Sequence, residues 1–207
     1  MDKPVLRSVS GSVFDGTWQE ALEWAITGML TSYEFSNNIS SDHRRDTPKR
    51  FVKAFEEYFC GLKQDPEEVL HRGFEVGNYD EMVTVKNISF VSFCAHHLVP
   101  FAGKVHFAYL PNKQIVGLSK IPRLVEVYAK RPQVQEQLTT QIVDTFQKVV
   151  NPRGCGVVIE ALHLCMAIRG IKKDQAITRT TALRGCFKKE STKREFLGGI
   201  KGENGWL

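Results

Sequence analysis

Gly156-Val157-Val158-Ile159-Glu160-Ala161-Leu162-His163-Leu164-Cys165-Met166-Ala167-Ile168-Arg169-Gly170 is the stretch whose reading decides the fold. Its apolar and β-branched content, bounded by glycines, reads as one long strand. Strand alternation would place Ile159, Ala161, His163, Cys165, Ala167 and Arg169 on one face. The other face would hold Val158, Leu162, Leu164, Met166 and Ile168, a core face that Glu160 interrupts without a sequence-level reason. At strand rise, His163 and Cys165 would stand roughly 7 Å apart, with Arg169 roughly 13 Å beyond Cys165.

Working outward, Asn151 to Gly154 breaks a preceding helix that Pro132 is expected to open. Its apolar stripe is Val134, Leu138, Ile142, Phe146 and Val149. Before it, Ser119 is expected to cap a helix running to about Lys130. Met82 to Phe93, Lys104 to Leu110 and Gln114 to Leu118 read as strands, with a turn at Pro111, Asn112 and Lys113. The first third is helical. Thr17 to Tyr33 carries a stripe of Trp18, Ala21, Leu22, Ala25, Met29 and Leu30, and Ser36 to Arg45 is a polar connection. A second helix is expected to start at Asp46 or Thr47 with Pro48 at its first position and to stop near Gly61. Asp65 and Pro66 begin a shorter helix toward His71, and Thr192 to Ile200 reads as a terminal helix. Helices, then strands, then two helices, then a strand give an α+β fold with a largely antiparallel sheet backed by helices. Residues 1–72 are expected to form an N-terminal helical region and 73–207 a domain built on the sheet.

At 207 residues the chain buries a core of ordinary size. No stretch is long and apolar enough to span a bilayer. Met1 to Gly11 is polar, so neither a signal peptide nor a membrane partner is expected, and a cytoplasmic location is. Five cysteines, an odd number in a chain that is not small, argue for metal binding or plain burial over a disulfide framework. The net charge of +5 is interspersed, which fits an anionic ligand and does not point to nucleic acid.

Cys94 and His97 have the C-x-x-H spacing that lets two ligands close on one metal. Residues three apart on a regular strand point to opposite faces, so the chain must turn there if both are to bind one ion. Buried free cysteines are also common, and no spacing argument brings Cys165 to Cys94. A set of two cysteines and one histidine would suit zinc, with the fourth position left for water. Ser119, Lys120 and Arg123, at a helix start, would suit a phosphate; equally, they fit a capped helix with solvated cations. Arg50 and Lys53 form a similar pair in an earlier helix. Arg169 shares a strand face with His163 and Cys165. Glu136 lies off the apolar stripe of its helix, as a solvent-facing carboxylate also would.

Together these segments resemble the type I GTP cyclohydrolase family. Cys94-Ala95-His96-His97-Leu98-Val99-Pro100-Phe101 is similar to the family's zinc segment. Gly117-Leu118-Ser119-Lys120, Arg123 and Arg131 through Glu136 resemble its next block, and Glu160 through Gly170 the third. Thr47-Pro48-Lys49-Arg50, Gly185-Cys186-Phe187 and Arg194-Glu195-Phe196-Leu197 extend the likeness over roughly Asp46 to Leu197. The family carries Glu in most members where this chain has Ala95.

The resemblance implies a tunnelling fold, Zn2+ on Cys94, His97 and Cys165, and GTP as substrate. Zinc would activate the water that attacks C8 of the purine, while His96 and His163 manage protons. Formate would leave, and the remainder would rearrange to 7,8-dihydroneopterin triphosphate. Glu136, supported by Gln135, would select guanine, and Ser119, Lys120, Arg123, Arg169, Arg50 and Lys53 would hold the triphosphate. A homodecamer with sites between subunits is also implied. Two other readings are a zinc-stabilised relative that binds without turnover and a basic nucleic-acid module with a structural zinc. An open metal position argues against the first. The want of a fourth ligand, or of interleaved aromatic and basic residues, argues against the second.

Overall fold

The long apolar runs after Tyr58 pair into a largely antiparallel sheet, and the helices between Lys120 and Val150 pack on it. In the computed structural model, residues 16–71, 73–75, 77 and 79–200 are described, with the backbone of 6–7 and 13–14. The polar opening at Met1 to Gly11 lies largely outside the described residues. The chain divides into two units, Met1–Glu57 and Tyr58–Leu207.

In the first unit, strands β1 (Leu6–Arg7) and β2 (Val13–Phe14) pair antiparallel. Helix α1 (Trp18–Thr31) starts at a capping box. The Glu20 N–H donates to Thr17 Oγ1, and the Thr17 N–H donates to Glu20 Oε2 at 2.7 Å. After the short α2 (Tyr33–Ser36) comes α3 (Ser41–Tyr58). Within this unit Phe55 packs on Trp18 and Phe51. The expected helix start at Asp46 or Thr47 is wrong. Ser40 Oγ accepts the His43 N–H, so the helix begins nearer that serine and runs through Pro48. Pro48 there forgoes one ladder hydrogen bond.

The second unit opens with 3-10 turns at Cys60–Lys63 and Glu68–Leu70, in place of the helix expected from Asp65 to His71. Its strands are β3 (Gly73–Glu75), β4 (Val83–Cys94), β5 (Pro100–Leu110), β6 (Gln114–Val116), β7 (Pro132–Gln133), β8 (Gly154–His163) and β9 (Ile177–Gly185). Helices α4 (Lys120–Ala129), α5 (Gln135–Val150), α6 (Leu164–Ala167) and α7 (Glu190–Gly199) complete it. The main sheet has the order β7-β4-β5-β8-β9, antiparallel except where β7 runs parallel to β4. The α+β class and the antiparallel sheet backed by helices are therefore as expected. One core packs Val105, Phe107, Tyr109, Val157 and Ile159 of the sheet with Leu124 of α4 and Leu138, Ile142 and Phe146 of α5. On the other side Ala108 and Val158 pack with Phe187 and Phe196. Strand β8 is thus buried on both faces, which is why its sequence is a nearly continuous apolar run.

Four readings of this unit need correction. The expected strand from Gly156 to Gly170 ends at His163, because its partners end there. Phe101 pairs with His163, the next β5 residue is Pro100 without an N–H, and β9 begins at Ile177 opposite Leu162. The chain then winds into α6. Second, Pro132 opens no helix: it pairs with Phe93 as an edge strand, and α5 starts at Gln135. Third, the strand expected over Gln114 to Leu118 stops at Val116, which pairs with Gly73, the first residue of β3. Fourth, β9 is a full strand that sequence reading passed over.

Gly103 of β5 leaves no room for a side chain beside β8. A Cβ there would sit 1.9 Å from the Glu160 carbonyl oxygen and 2.7 Å from Ala161 Cα. Both are backbone atoms, so the strands must separate to admit a methyl group. Gly103→Ala is expected to destabilise the protein by about 3 kcal/mol and lower the melting temperature by about 5–10 °C. A thermal unfolding curve superimposable on that of the wild type would contradict this strand spacing.

Candidate active site

The site is built where β4 ends. The Cys94 N–H donates to the Val99 carbonyl at 3.0 Å, and the Cys94 carbonyl accepts the N–H groups of His97 and Leu98 at 3.3 and 2.8 Å. Leu98 closes this tight turn with φ 50°, a left-handed conformation that costs a leucine about 1 kcal/mol or more. The Ala95 N–H is held by the Gln133 carbonyl of β7 at 2.8 Å. Gln133, buried, is itself fixed by its Nε2 donating to the Tyr128 carbonyl and to Gln141 Oε1. This is the turn that the C-x-x-H spacing requires. It brings His97 Nδ1 to 3.8 Å and His96 Nδ1 to 3.7 Å from Cys94 Sγ.

Cys165 arrives from α6, not along a strand. Its Sγ, Cys94 Sγ and a ring nitrogen of His97 lie within 4.8 Å of one another. Zinc bond lengths of about 2.3 Å to sulfur and about 2.0 Å to nitrogen put such ligand atoms roughly 3.5–4 Å apart, so the group fits one ion with little movement. Among the described residues no fourth Cys, His, Asp or Glu joins the three. The donor set suits a borderline-soft divalent cation and leaves a coordination position open. Burial, and then the adjacent Cys94 thiol, push the Cys165 thiol above its ordinary value. A bound cation reverses this by favouring the thiolate. Cys155 is different: fully buried on β8, it is pushed up to about 12 by desolvation and is an inert core thiol.

His163 occupies the last rung of β8. Its ring lies parallel to that of Phe101, its register partner, at 4.5 Å and 4°. Its Nε2 is 2.7 Å from Oε1 of Gln135, the first residue of α5. Burial lowers its pKa, and the Glu136 carboxylate partly offsets that. Burial thus favours the neutral imidazole, which has one ring nitrogen able to accept a proton. Glu136 itself is exposed in the first turn of α5.

The structure places the six phosphate candidates unevenly. Arg169 does not stand 13 Å out along a strand. The turn after α6 brings it back, and its Nη1 lies 3.3 Å from His97 Nε2. Ser119, Lys120 and Arg123 do stand at the start of α4, but Ser119 makes no side-chain cap. Its φ and ψ are already helical, and the N–H groups of Lys120 and Ile121 turn back to the carbonyls of Gly117 and Leu118. Arg50 and Lys53 are exposed on α3 of the first unit, where Arg50 lies 3.7 Å from Asp46. Glu160 gains its reason here: its two oxygens lie 3.8 Å from His106 Nε2 and 3.7 Å from Arg179 Nε. Sequence reasoning missed Phe101 and Gln133, because only the strand register reveals what they hold.

The GTP cyclohydrolase I family model matches residues 22–201 of this chain. GTP cyclohydrolase 1 of Wolinella succinogenes is 50% identical over 168 residues, covering 79% of this chain and 90% of that protein. The Chlorobaculum tepidum protein of the same name is 48% identical over 179 residues, covering 83% and 80%. The one from Brucella abortus is 51% identical over 150 residues, covering 72% and 70%.

Proposed function

Since this chain belongs to the GTP cyclohydrolase I family, we propose that it is a tunnelling-fold enzyme which opens the imidazole ring of GTP at C8, using zinc held by Cys94, His97 and Cys165. Formate is released, and the remainder rearranges to 7,8-dihydroneopterin triphosphate, with net consumption of water. The observation that carries this reading is the convergence of two sulfurs and one imidazole, with a coordination position to spare. Zinc, when bound, supplies Lewis acidity and an activated water near neutral pH.

The chain's own residues do the rest. His163, neutral and wedged against Phe101, takes up a proton and delivers it to N7 of the base, which makes C8 electrophilic. His96, beside Cys94, is the second proton carrier. Glu136 accepts hydrogen bonds from the guanine N1–H and exocyclic amine, and Gln135 supports that pocket. Ser119, Lys120, Arg123, Arg169, Arg50 and Lys53 bind the triphosphate. In this reading residues 73–207 form the catalytic domain and 1–72 the helical region. Sites are completed between subunits of a homodecamer in the cytoplasm, and the product enters pterin and tetrahydrofolate synthesis. No helix among the described residues is long and apolar enough to cross a membrane.

The test is incubation with GTP and zinc while formate and pterin fluorescence are followed. Both are expected to rise in equal amounts and to stop when a chelator strips the metal. GTP recovered intact, with zinc present, would overturn the proposal.

A further inference from the structure

Gln135 is 2% exposed, and each polar atom of its side chain is engaged. Its Nε2 lies 3.1 Å from the Ile159 carbonyl, 3.0 Å from the Thr178 carbonyl and 3.1 Å from Thr180 Oγ1. Backbone carbonyls only accept, so the amide has one acceptable orientation: its NH2 faces β8 and β9, and its Oε1 faces His163. Two threonines agree with it. The Thr139 hydroxyl donates its single proton to the Gln135 backbone carbonyl at 2.7 Å. In the 2.7 Å contact between Thr139 and Thr180, Thr180 must therefore be the donor. That leaves the Thr180 oxygen free to accept from the Gln135 amide. The direction of every bond in this ring is thus determined.

The consequence falls on His163. Oε1 of Gln135, 2.7 Å from Nε2, is an acceptor, so Nε2 must carry a proton. In the neutral imidazole the lone pair is then on Nδ1. The opposite tautomer would set two lone pairs against each other and leave Nδ1 unable to accept. The Phe101 ring meanwhile fixes the plane of the imidazole.

We infer that Gln135 is a positioning residue which holds His163 in the Nε2–H tautomer, making Nδ1 the nitrogen that exchanges protons with the substrate. The inference rests on the proposed role of His163 and refines it: the Gln135 side chain has no free polar atom to offer guanine. It is tested on zinc-loaded protein labelled with 15N-histidine, by magic-angle-spinning NMR, with His163 identified from the signals missing in His163→Gln. The neutral ring is expected to carry its proton on Nε2. Gln135→Met keeps the bulk and removes the acceptor. It is expected to show both tautomers and a kcat for GTP lower by about 10- to 100-fold, with KM changed less than about threefold.

A proton on Nδ1 in the wild type would overturn the inference without recourse to any variant. So would a Gln135→Met protein whose KM rises while kcat holds, the signature of a lost substrate contact. Should the wild type release no formate from GTP, the proposed reaction would fall while the tautomer result still stood.

Discussion

Cys165→Ser is expected to leave the protein folded but nearly free of zinc, and to cut formate release from GTP by about a thousandfold or more. The reasoning starts from the ligand count. In the proposed centre three side chains would hold the metal, and the serine hydroxyl, which stays protonated near neutral pH, is a poor replacement for a thiolate. A carbon–oxygen bond is also shorter than a carbon–sulfur bond, so the new atom falls short of the ion. Cys165 is on a four-residue helix and only half-buried, so the substitution leaves the core intact. Cys155→Ser is the contrasting control. It places a hydroxyl in the fully buried face of β8 and is expected to lower stability while zinc content is unchanged. Zinc per chain from elemental analysis, formate release and circular dichroism separate the cases. A Cys165→Ser protein with one zinc per chain and wild-type turnover would remove the metal centre from the mechanism.

The sequence showed some of this site and hid the rest, for physical reasons. Sequence patterning located α1 and α5 by their apolar stripes, α4 by its serine start, and most of β4 and β5 by their β-branched and aromatic runs. It failed on the run from Gly156 to Gly170. A strand buried on both faces has no alternation to lose, so nothing marked the residue where β5 and β9 ran out and the chain began to wind. The same error set His163 and Cys165 on one strand face, whereas α6 carries Cys165 round to Cys94. Strand β9 was hidden in a different way. Ile177 to Gly185 is rich in threonine and holds Arg179 and Arg184, charges that pair with Glu160 and Asp144 only once the strand is in place. Pro48 and Pro132 misled as helix openers because proline restrains its own φ without deciding what its neighbours do. The turn at Cys94 was legible because C-x-x-H demanded it. The left-handed Leu98 that closes it was not, since nothing local announces a leucine at positive φ.

Glu136→Gln is expected to reverse the base preference of the enzyme, lowering kcat/KM for GTP by about a thousandfold while improving xanthosine triphosphate relative to GTP by a similar factor. Guanine presents two donors side by side, the N1–H and the exocyclic amine, and a carboxylate is the side chain that accepts both. Each charge-assisted bond contributes about 1.5–3 kcal/mol. A glutamine accepts from N1–H with its oxygen but turns an NH2 toward the guanine amine, setting donor against donor. Loss of one bond plus that clash amounts to about 4 kcal/mol, which is about a thousandfold. Xanthine carries an oxygen where guanine carries the amine, so it matches the glutamine at both positions. The position suits this swap: Glu136 is exposed in the first turn of α5, next to the residue that holds His163, and its carboxylate acts on the pKa of that ring. The change is isosteric and at the surface, so stability is expected to move by less than about 0.5 kcal/mol. The measurement is a direct competition between the two triphosphates at equal concentration, read as the ratio of their products. A ratio unchanged from the wild type would mean that the carboxylate faces solvent throughout the reaction and that some other group selects guanine.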